Sequence, residues 1–290
     1  MQILDGKEVA ATVRGELSLK VENFAVRHGR PPCLAVILVG DDPASHVYVK
    51  NKGIACKKVG MTSLEYKLDA QVSEAELLGL IQQLNQDVNV SGILVQLPLP
   101  HQLSEQKVLA AINPAKDPDG LTIENLGRLF ASQAIISPCT PSGVIRILQH
   151  YEIPIKGRHA VVVGRSNIVG KPMAMLLQQQ NATVTMCHSH TRDLSKWTRS
   201  AEIIVVAAGR PGMLGGEDFS PGSVVIDVGI HRIPTENGGM RLCGDVRFEE
   251  LHSAGVEAAT PVPGGVGPMT IAMLLNNTYL LAEQQLLKKN

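Results

Sequence analysis

The stretch His159-Ala-Val-Val-Val-Gly-Arg-Ser-Asn-Ile-Val-Gly-Lys-Pro-Met173 constrains the fold more than any other. Ala160 to Val163 is a short, β-branched apolar run and reads as a buried strand. Gly164 ends it, a polar loop follows, and Gly170 to Gln179 reads as a helix with Pro172 in its first turn. Strand, glycine loop and helix together make a phosphate cradle, because unpaired N–H groups at a helix start favour an anion. The spacing departs from the usual dinucleotide pattern G-x-G-x-x-G: Ser166 stands where the second glycine is expected. Read alone, the stretch is also compatible with an ordinary strand-to-helix turn.

The rest of the chain alternates strand and helix, so parallel sheets covered by helices are expected. In order, the pattern predicts a helix over 7–26, a buried strand over 32–39 and a helix from Pro43 to about Val59. A strand over 63–68, a helix capped by Ser73 and a strand over 92–97 come next. A helix over 104–112 and an Asp117-Pro-Asp-Gly120 turn close the first half. Thr140-Pro141 reads as a helix start with a hydroxyl cap. After the central stretch, strands are expected over 183–187, 202–207 and 223–228, with a short helix capped by Thr191 or Asp193. Pro261 to Pro268 reads as a glycine- and proline-rich loop, and about Met269 to Leu287 as a long last helix. The 290 residues suggest two domains, with a boundary between Gly120 and Pro141.

Composition excludes several partners. Lys plus Arg equals Asp plus Glu at 27 each, which argues against a nucleic-acid backbone. Aromatic residues are 3% of the chain, too few for a base-stacking platform. No apolar run approaches the ~20 residues that span a bilayer. The first residues carry no signal-peptide pattern, so a cytoplasmic protein is expected. Five widely spaced cysteines without a C-x-x-C pair speak against a disulfide framework or zinc site.

The end of the strand after the glycine loop bears on the cofactor. An NAD-binding domain usually places Asp or Glu there to hold the ribose 2′-hydroxyl. Here the strand ends Cys187-His188-Ser189-His190, and Arg165 lies in the adjacent loop. A cation and a hydroxyl in place of an acid suit a 2′-phosphate, so NADP is expected over NAD. His188 and His190 lack a third ligand at metal spacing, and no metal is expected.

A set of polar residues in the first half could carry chemistry. Ser45, Tyr48 and Lys52 fall on one face of their helix. Gln96 closes a strand, and Asp119 lies in the Asp-Pro-Asp-Gly turn. In a doubly wound domain these five can converge at one cleft facing the cofactor, where a desolvated Lys would have a lowered pKa and act as acid or base. The alternative for each is an ordinary exposed Lys or half-buried Tyr.

Six blocks in order give a resemblance that covers nearly the whole chain: Tyr48-Val-Lys-Asn-Lys52, Val95-Gln-Leu-Pro-Leu-Pro100, Lys116-Asp-Pro-Asp-Gly-Leu121, Pro138-Cys-Thr-Pro-Ser-Gly143, Gly164-Arg-Ser-Asn-Ile-Val-Gly-Lys-Pro172 and Pro261-Val-Pro-Gly-Gly-Val-Gly-Pro-Met-Thr270. The chain resembles the bifunctional methylenetetrahydrofolate dehydrogenase/methenyltetrahydrofolate cyclohydrolases. That resemblance implies an α/β fold with an N-terminal α/β/α folate-binding catalytic domain, residues 1–139 and 268–290, to which the last helix returns. A Rossmann-like NADP-binding domain, residues 140–267, is implied beside it. It implies NADP-dependent oxidation of 5,10-methylene-tetrahydrofolate and hydrolysis of the methenyl product to 10-formyl-tetrahydrofolate, in a homodimer.

The same resemblance gives Lys52 the central role in hydrolysis, assisted by Gln96, with Tyr48 against the folate ring and Asp119 on the pterin N–H groups. Ser45, Val95, Leu97, Pro263, Gly264, Gly265 and Gly267 would line the folate site. Thr140, Gly164, Arg165, Ser166, Ile168, Ser189 and Ile230 would contact NADP. His190 stands where some relatives carry Lys, which would make NADP affinity more pH-dependent. The rivals are a dehydrogenase without the hydrolytic activity, an NADP dehydrogenase of small hydroxy or keto acids, and a non-catalytic folate- or nucleotide-binding regulator. The presence of both Lys52 and Gln96 weighs against the first, and Lys52 against the last.

Overall fold

The computed structural model of the chain describes residues 1–234 and 239–287. In chain order, the first half comprises β1 (Gln2–Ile3), α1 (Gly6–His28), β2 (Cys33–Val39), α2 (Pro43–Lys58), β3 (Thr62–Leu68), α3 (Glu74–Gln86), β4 (Gly92–Val95), α4 (Glu105–Ala111) and α5 (Ile123–Phe130). The second half comprises α6 (Cys139–His150), β5 (His159–Val163), α7 (Gly170–Gln179), β6 (Thr183–Cys187), α8 (Leu194–Arg199), β7 (Ile203–Val206), β8 (Val224–Asp227), β9 (His231–Pro234), β10 (Met240–Cys243), β11 (Ala258–Ala259) and α9 (Val266–Leu287). Among the described residues no helix is long and apolar enough to cross a membrane.

The chain divides into two compact units. One holds Thr12–Cys139 and Ile271–Asn290, of which residues 288–290 lie outside the described residues. Its sheet is parallel, in the order β3-β2-β4. Every residue of β2 is buried, which is what a strand covered on both faces requires. Alternate residues serve two cores. Leu34, Val36 and Leu38 pack with Leu17 and Val21 of α1, Val49 and Cys56 of α2, and Leu274 and Leu275 of α9. Ala35, Ile37 and Val39 pack with Leu77, Ile81 and Leu84 of α3 and Val108 of α4.

The other unit holds Met1–Ala11 and Thr140–Thr270. Its six strands are parallel, in the order β1-β11-β8-β7-β5-β6. From β5 the chain moves outward to β6, then returns to the opposite side of β5 as β7. That reversal makes a switch point at the carboxyl ends of β5 and β7, where open α/β sheets take their ligands. A two-stranded antiparallel pair, β9 with β10, completes this unit.

At the amino end the compact units divide differently from the expected domains. Residues 1–11, assigned from sequence to the first domain, belong with the six-stranded sheet. The reason is strand pairing: β1 runs parallel to β11, with the Gln2 N–H donating to the Glu257 carbonyl at 2.7 Å and the Leu4 N–H to the Ala259 carbonyl at 2.9 Å. At the other end the division falls within α9, after Thr270, rather than before Pro268. Two local expectations also change. α6 begins at Cys139, so Thr140 lies within its first turn, and its hydroxyl meets that of Thr270 at 3.0 Å instead of capping the helix. α9 begins at Val266, so Gly267 belongs to a helix rather than to the preceding loop.

Candidate active site

The unit around β2 carries the candidate catalytic residues. Asp42 caps α2 by accepting the Ser45 N–H at 2.7 Å. The cap fixes where the helix starts, and the helical repeat then sets Ser45, Tyr48 and Lys52 on one face. Ser45 is buried, and Tyr48 is 43% exposed. Lys52 donates from Nζ to Gln96 Oε1 at 2.8 Å. Gln96 follows β4, where its N–H donates to the Ile37 carbonyl at 2.9 Å and continues the sheet by one residue. Its amide is oriented at both ends, because Nε2 donates to the Leu97 carbonyl at 2.6 Å. The oxygen must therefore face Lys52. Val95 is buried and Leu97 half-buried beside it.

Asp119 approaches from the turn after the Pro114–Lys116 helical turn. The first carboxylate of that turn is structural: Asp117 accepts the Gly120 N–H at 3.0 Å, the Thr122 N–H at 2.7 Å and Asn125 Nδ2 at 3.0 Å. Gly120 takes φ of 71°, a conformation that glycine tolerates best. The second carboxylate, Asp119, faces Lys52 and receives a weak Sγ–H bond from Cys139 at 3.7 Å. Burial pushes the Asp119 carboxyl up to about 6, against the lowering effect of Lys52 and its bond from Cys139, while Asp117 adds to the rise. Burial also lowers Lys52 from the ordinary lysine value, opposed first by Asp119. Each group is thus drawn toward its neutral form, which suits a lysine to serve as a base nearer neutral pH.

Sequence reasoning missed two residues that hold this turn. Asn277 of α9 is 2% exposed. Its Nδ2 donates to the carbonyls of Pro118 at 2.8 Å and Ser137 at 2.9 Å. Cys139, given no role from the sequence, donates to the Pro118 carbonyl at 3.3 Å, and burial with two nearby carboxylates pushes its thiol well above the usual range. The sequence signal was available for Cys139 within its Pro-Cys-Thr-Pro block, but nothing local links Asn277 to residue 118.

The remaining expected residues belong to the other unit. Gly164 follows β5 with φ of 132°, and a Cβ there would collide with the Ala207 carbonyl. A Cβ on Gly170 would collide with the carbonyl of Gly164. These two glycines therefore let β5, β7 and the start of α7 close on one another. Ser166 does the work expected of a helix cap: its Oγ accepts the N–H groups of Val169 at 3.1 Å and Gly170 at 3.3 Å. Arg165, Ser166, Ile168 and Ser189 are exposed at the carboxyl ends of β5 and β6, and Ile230, also exposed, lies beyond β8. At the end of β6, Thr191 Oγ1 accepts the His188 N–H at 2.9 Å, and His188 Nδ1 accepts the His190 N–H at 3.2 Å, so backbone turns rather than a carboxylate finish the strand. This donor set fits a dinucleotide carrying a 2′-phosphate. Pro263 and Gly264 form a turn in which the Gly264 carbonyl accepts the Lys7 N–H at 3.2 Å, and the Gly265 N–H donates to the Pro261 carbonyl at 2.8 Å. Thr140 lies in this unit as well.

The chain is similar to known proteins over nearly its whole length. Residues 4–119 match the family described as tetrahydrofolate dehydrogenase/cyclohydrolase, catalytic domain. Residues 138–286 match the same family's NAD(P)-binding domain. The bifunctional protein FolD of Bdellovibrio bacteriovorus is 58% identical over 283 residues, covering 98% of this chain and 97% of that protein. The solved structure of the FolD methylenetetrahydrofolate dehydrogenase/cyclohydrolase from Campylobacter jejuni is similar with a TM-score of 0.92 at 48% identity, covering 98% of this chain and 99% of that one. That of Trypanosoma brucei, complexed with NADP cofactor and inhibitor, is similar with a TM-score of 0.91 at 37% identity, covering 98% of each chain.

Proposed function

Because this chain belongs to the tetrahydrofolate dehydrogenase/cyclohydrolase family, we propose that it catalyses two successive reactions with Lys52 and Gln96 at the centre of the second. In the first, 5,10-methylene-tetrahydrofolate loses a hydride and becomes the 5,10-methenyl cation. NADP⁺, when bound, supplies the acceptor of that hydride. In the second, water adds to the methenyl carbon, a proton leaves and the ring opens to 10-formyl-tetrahydrofolate.

The observation that carries this reading is the Lys52–Gln96 bond beside Asp119. The cationic substrate disfavours an ammonium nearby, adding to the lowering that burial already produces at Lys52. A neutral Lys52 holds one N–H on Gln96 Oε1 and offers its lone pair to the attacking water. Gln96, locked by Leu97, keeps that lone pair aimed. Asp119 would accept pterin N–H groups in paired fashion, and Tyr48, partly exposed one helical turn before Lys52, would lie against the folate ring. Ser45, Val95 and Leu97 would add to the folate contacts of this unit. Hydride loss asks for no protein acid or base, so placement carries that step.

Toward the cofactor, Arg165 would pair with the 2′-phosphate, with Ser166 and Ser189 as hydrogen-bonding neighbours. Thr140, Gly164, Ile168 and Ile230 would make the remaining contacts. The working protein is proposed to be a cytoplasmic homodimer, with the partly exposed edge strand β6 as the pairing element. One assay tests the reading: purified protein is mixed with 5,10-methylene-tetrahydrofolate and NADP⁺, and NADPH, methenyl-folate and formyl-folate are followed together. NADPH with formyl-folate formed faster than uncatalysed hydrolysis is expected. Accumulating methenyl-folate would leave a dehydrogenase alone, and absence of NADPH would overturn the reading.

A further inference from the structure

The unit with the six-stranded sheet contains a second carboxylate network, to which nothing above assigns a role. At the carboxyl end of β7 the chain runs through Ala208, Gly209 and Arg210, and their three successive N–H groups converge on Asp245. Oδ2 accepts from Ala208 at 2.7 Å and Gly209 at 3.0 Å, and Oδ1 accepts from Arg210 at 2.8 Å. Consecutive amides aimed at one point form an anion-binding concavity. Here the anion is the protein's own side chain, fully buried at 0% exposed. Its Oδ1 also meets Nε2 of His231, the first residue of β9, at 2.7 Å.

Asp227, at the end of β8, holds the backbone of Asp245 in turn. Its Oδ1 accepts the N–H groups of Gly229 at 2.9 Å and Asp245 at 3.0 Å, and its Oδ2 accepts that of Val246 at 2.9 Å. The packing leaves no slack. A Cβ on Gly244 would collide with Asp227 Oδ2, and one on Gly229 would lie 2.5 Å from the Asp245 carboxyl carbon. The backbone so fixed, 208–210 and Gly229, follows the carboxyl ends of β7 and β8. Ala207, just before the first of them, is the residue whose carbonyl excludes a side chain at Gly164.

We propose that Asp245, held by Asp227 and His231, is a positioning residue for the dehydrogenase reaction: it rigidifies the cofactor-facing strand ends and takes no part in hydrolysis. The inference rests on the two-reaction reading above, and hydrolysis of the methenyl substrate without nucleotide supplies an internal control. All four bonds to the Asp245 oxygens come from the protein itself, so Asp245 acts through the backbone it holds. Asp245→Asn replaces one acceptor by a donor and leaves at least one of these part-buried amides without its partner, a loss worth roughly tenfold in affinity for whatever those amides help to place.

The wild-type protein is first assayed for both reactions; failure to reduce NADP⁺ there would overturn the functional reading itself, before any variant is compared. For Asp245→Asn the expected result is a KM for NADP⁺ and an NADPH dissociation constant, read by fluorescence titration, each raised about tenfold or more, with kcat for nucleotide-free hydrolysis within about twofold of wild type. Unchanged nucleotide affinity, or hydrolysis falling in proportion, would overturn the proposal. If that variant does not fold, His231→Gln keeps the three amides paired and removes only the ring. It should weaken NADPH binding by about threefold and leave hydrolysis intact, and unchanged NADPH affinity would overturn the proposal.

Discussion

Lys52 of α2 and Gln96 at the end of β4 meet at 2.8 Å, 44 residues apart in the chain. The two positions come together because β2 pairs with β4 while α2 packs on the same sheet. Gln96 is oriented by a second bond to Leu97, so the lysine meets a fixed acceptor. Burial, with Asp119 opposite, then sets how readily Lys52 gives up its proton.

Asp119 makes the site costly to fold at neutral pH. Burial raises its carboxyl from the ordinary 3.8 to about 6. A raised carboxyl contributes stability below about pH 4, and that contribution is lost as pH rises through about 6. Asp119→Asn removes the charged form. It should melt at a higher temperature than wild type at pH 7.5, and the advantage should shrink toward pH 4.5 in thermal melts. A difference independent of pH would contradict the assignment of burial as the cause.

Asn277 staples the turn that carries Asp119. Asn277→Leu keeps the branched shape and leaves the Pro118 and Ser137 carbonyls without their amide donor. The expected loss is about 1–3 kcal/mol of unfolding free energy in urea titration, with a raised KM for folate. Wild-type stability in that titration would show that other groups satisfy these carbonyls.

Much of this was legible in the sequence, and the failures have physical causes. The β2 run and the glycine loop of α7 are long, regular patterns that fix their elements locally. Tyr48, Lys52, Gln96 and Asp119 stood out because each polar residue sits at the end or on the face of an apolar element. By contrast, β1 and β11 are two residues each, too short for any periodicity, so their pairing was not legible in the sequence. α5 is a single short amphipathic segment after Thr122, and β9 and β10 carry exposed polar residues. The Asp245 network depends on Ala208 to Arg210, some 35 residues away, and no spacing rule connects them.

Arg165 is exposed after the end of β5, and the neighbouring β6 is followed by His188-Ser189-His190 rather than by Asp or Glu. Arg165→Ala should raise the KM for NADP⁺ about tenfold or more while changing that for NAD⁺ little, so the preference between them narrows. Equal losses with both nucleotides would place the 2′-phosphate elsewhere.

The most direct test of the central claim is Lys52→Met, assayed separately for the two reactions. The account predicts that hydrolysis of the methenyl substrate falls by about a hundredfold or more, the scale of a lost general base, while NADPH formation from the methylene substrate keeps most of its rate. Equal losses in both would contradict it and would make Lys52 a substrate-binding residue rather than the base of the hydrolytic step.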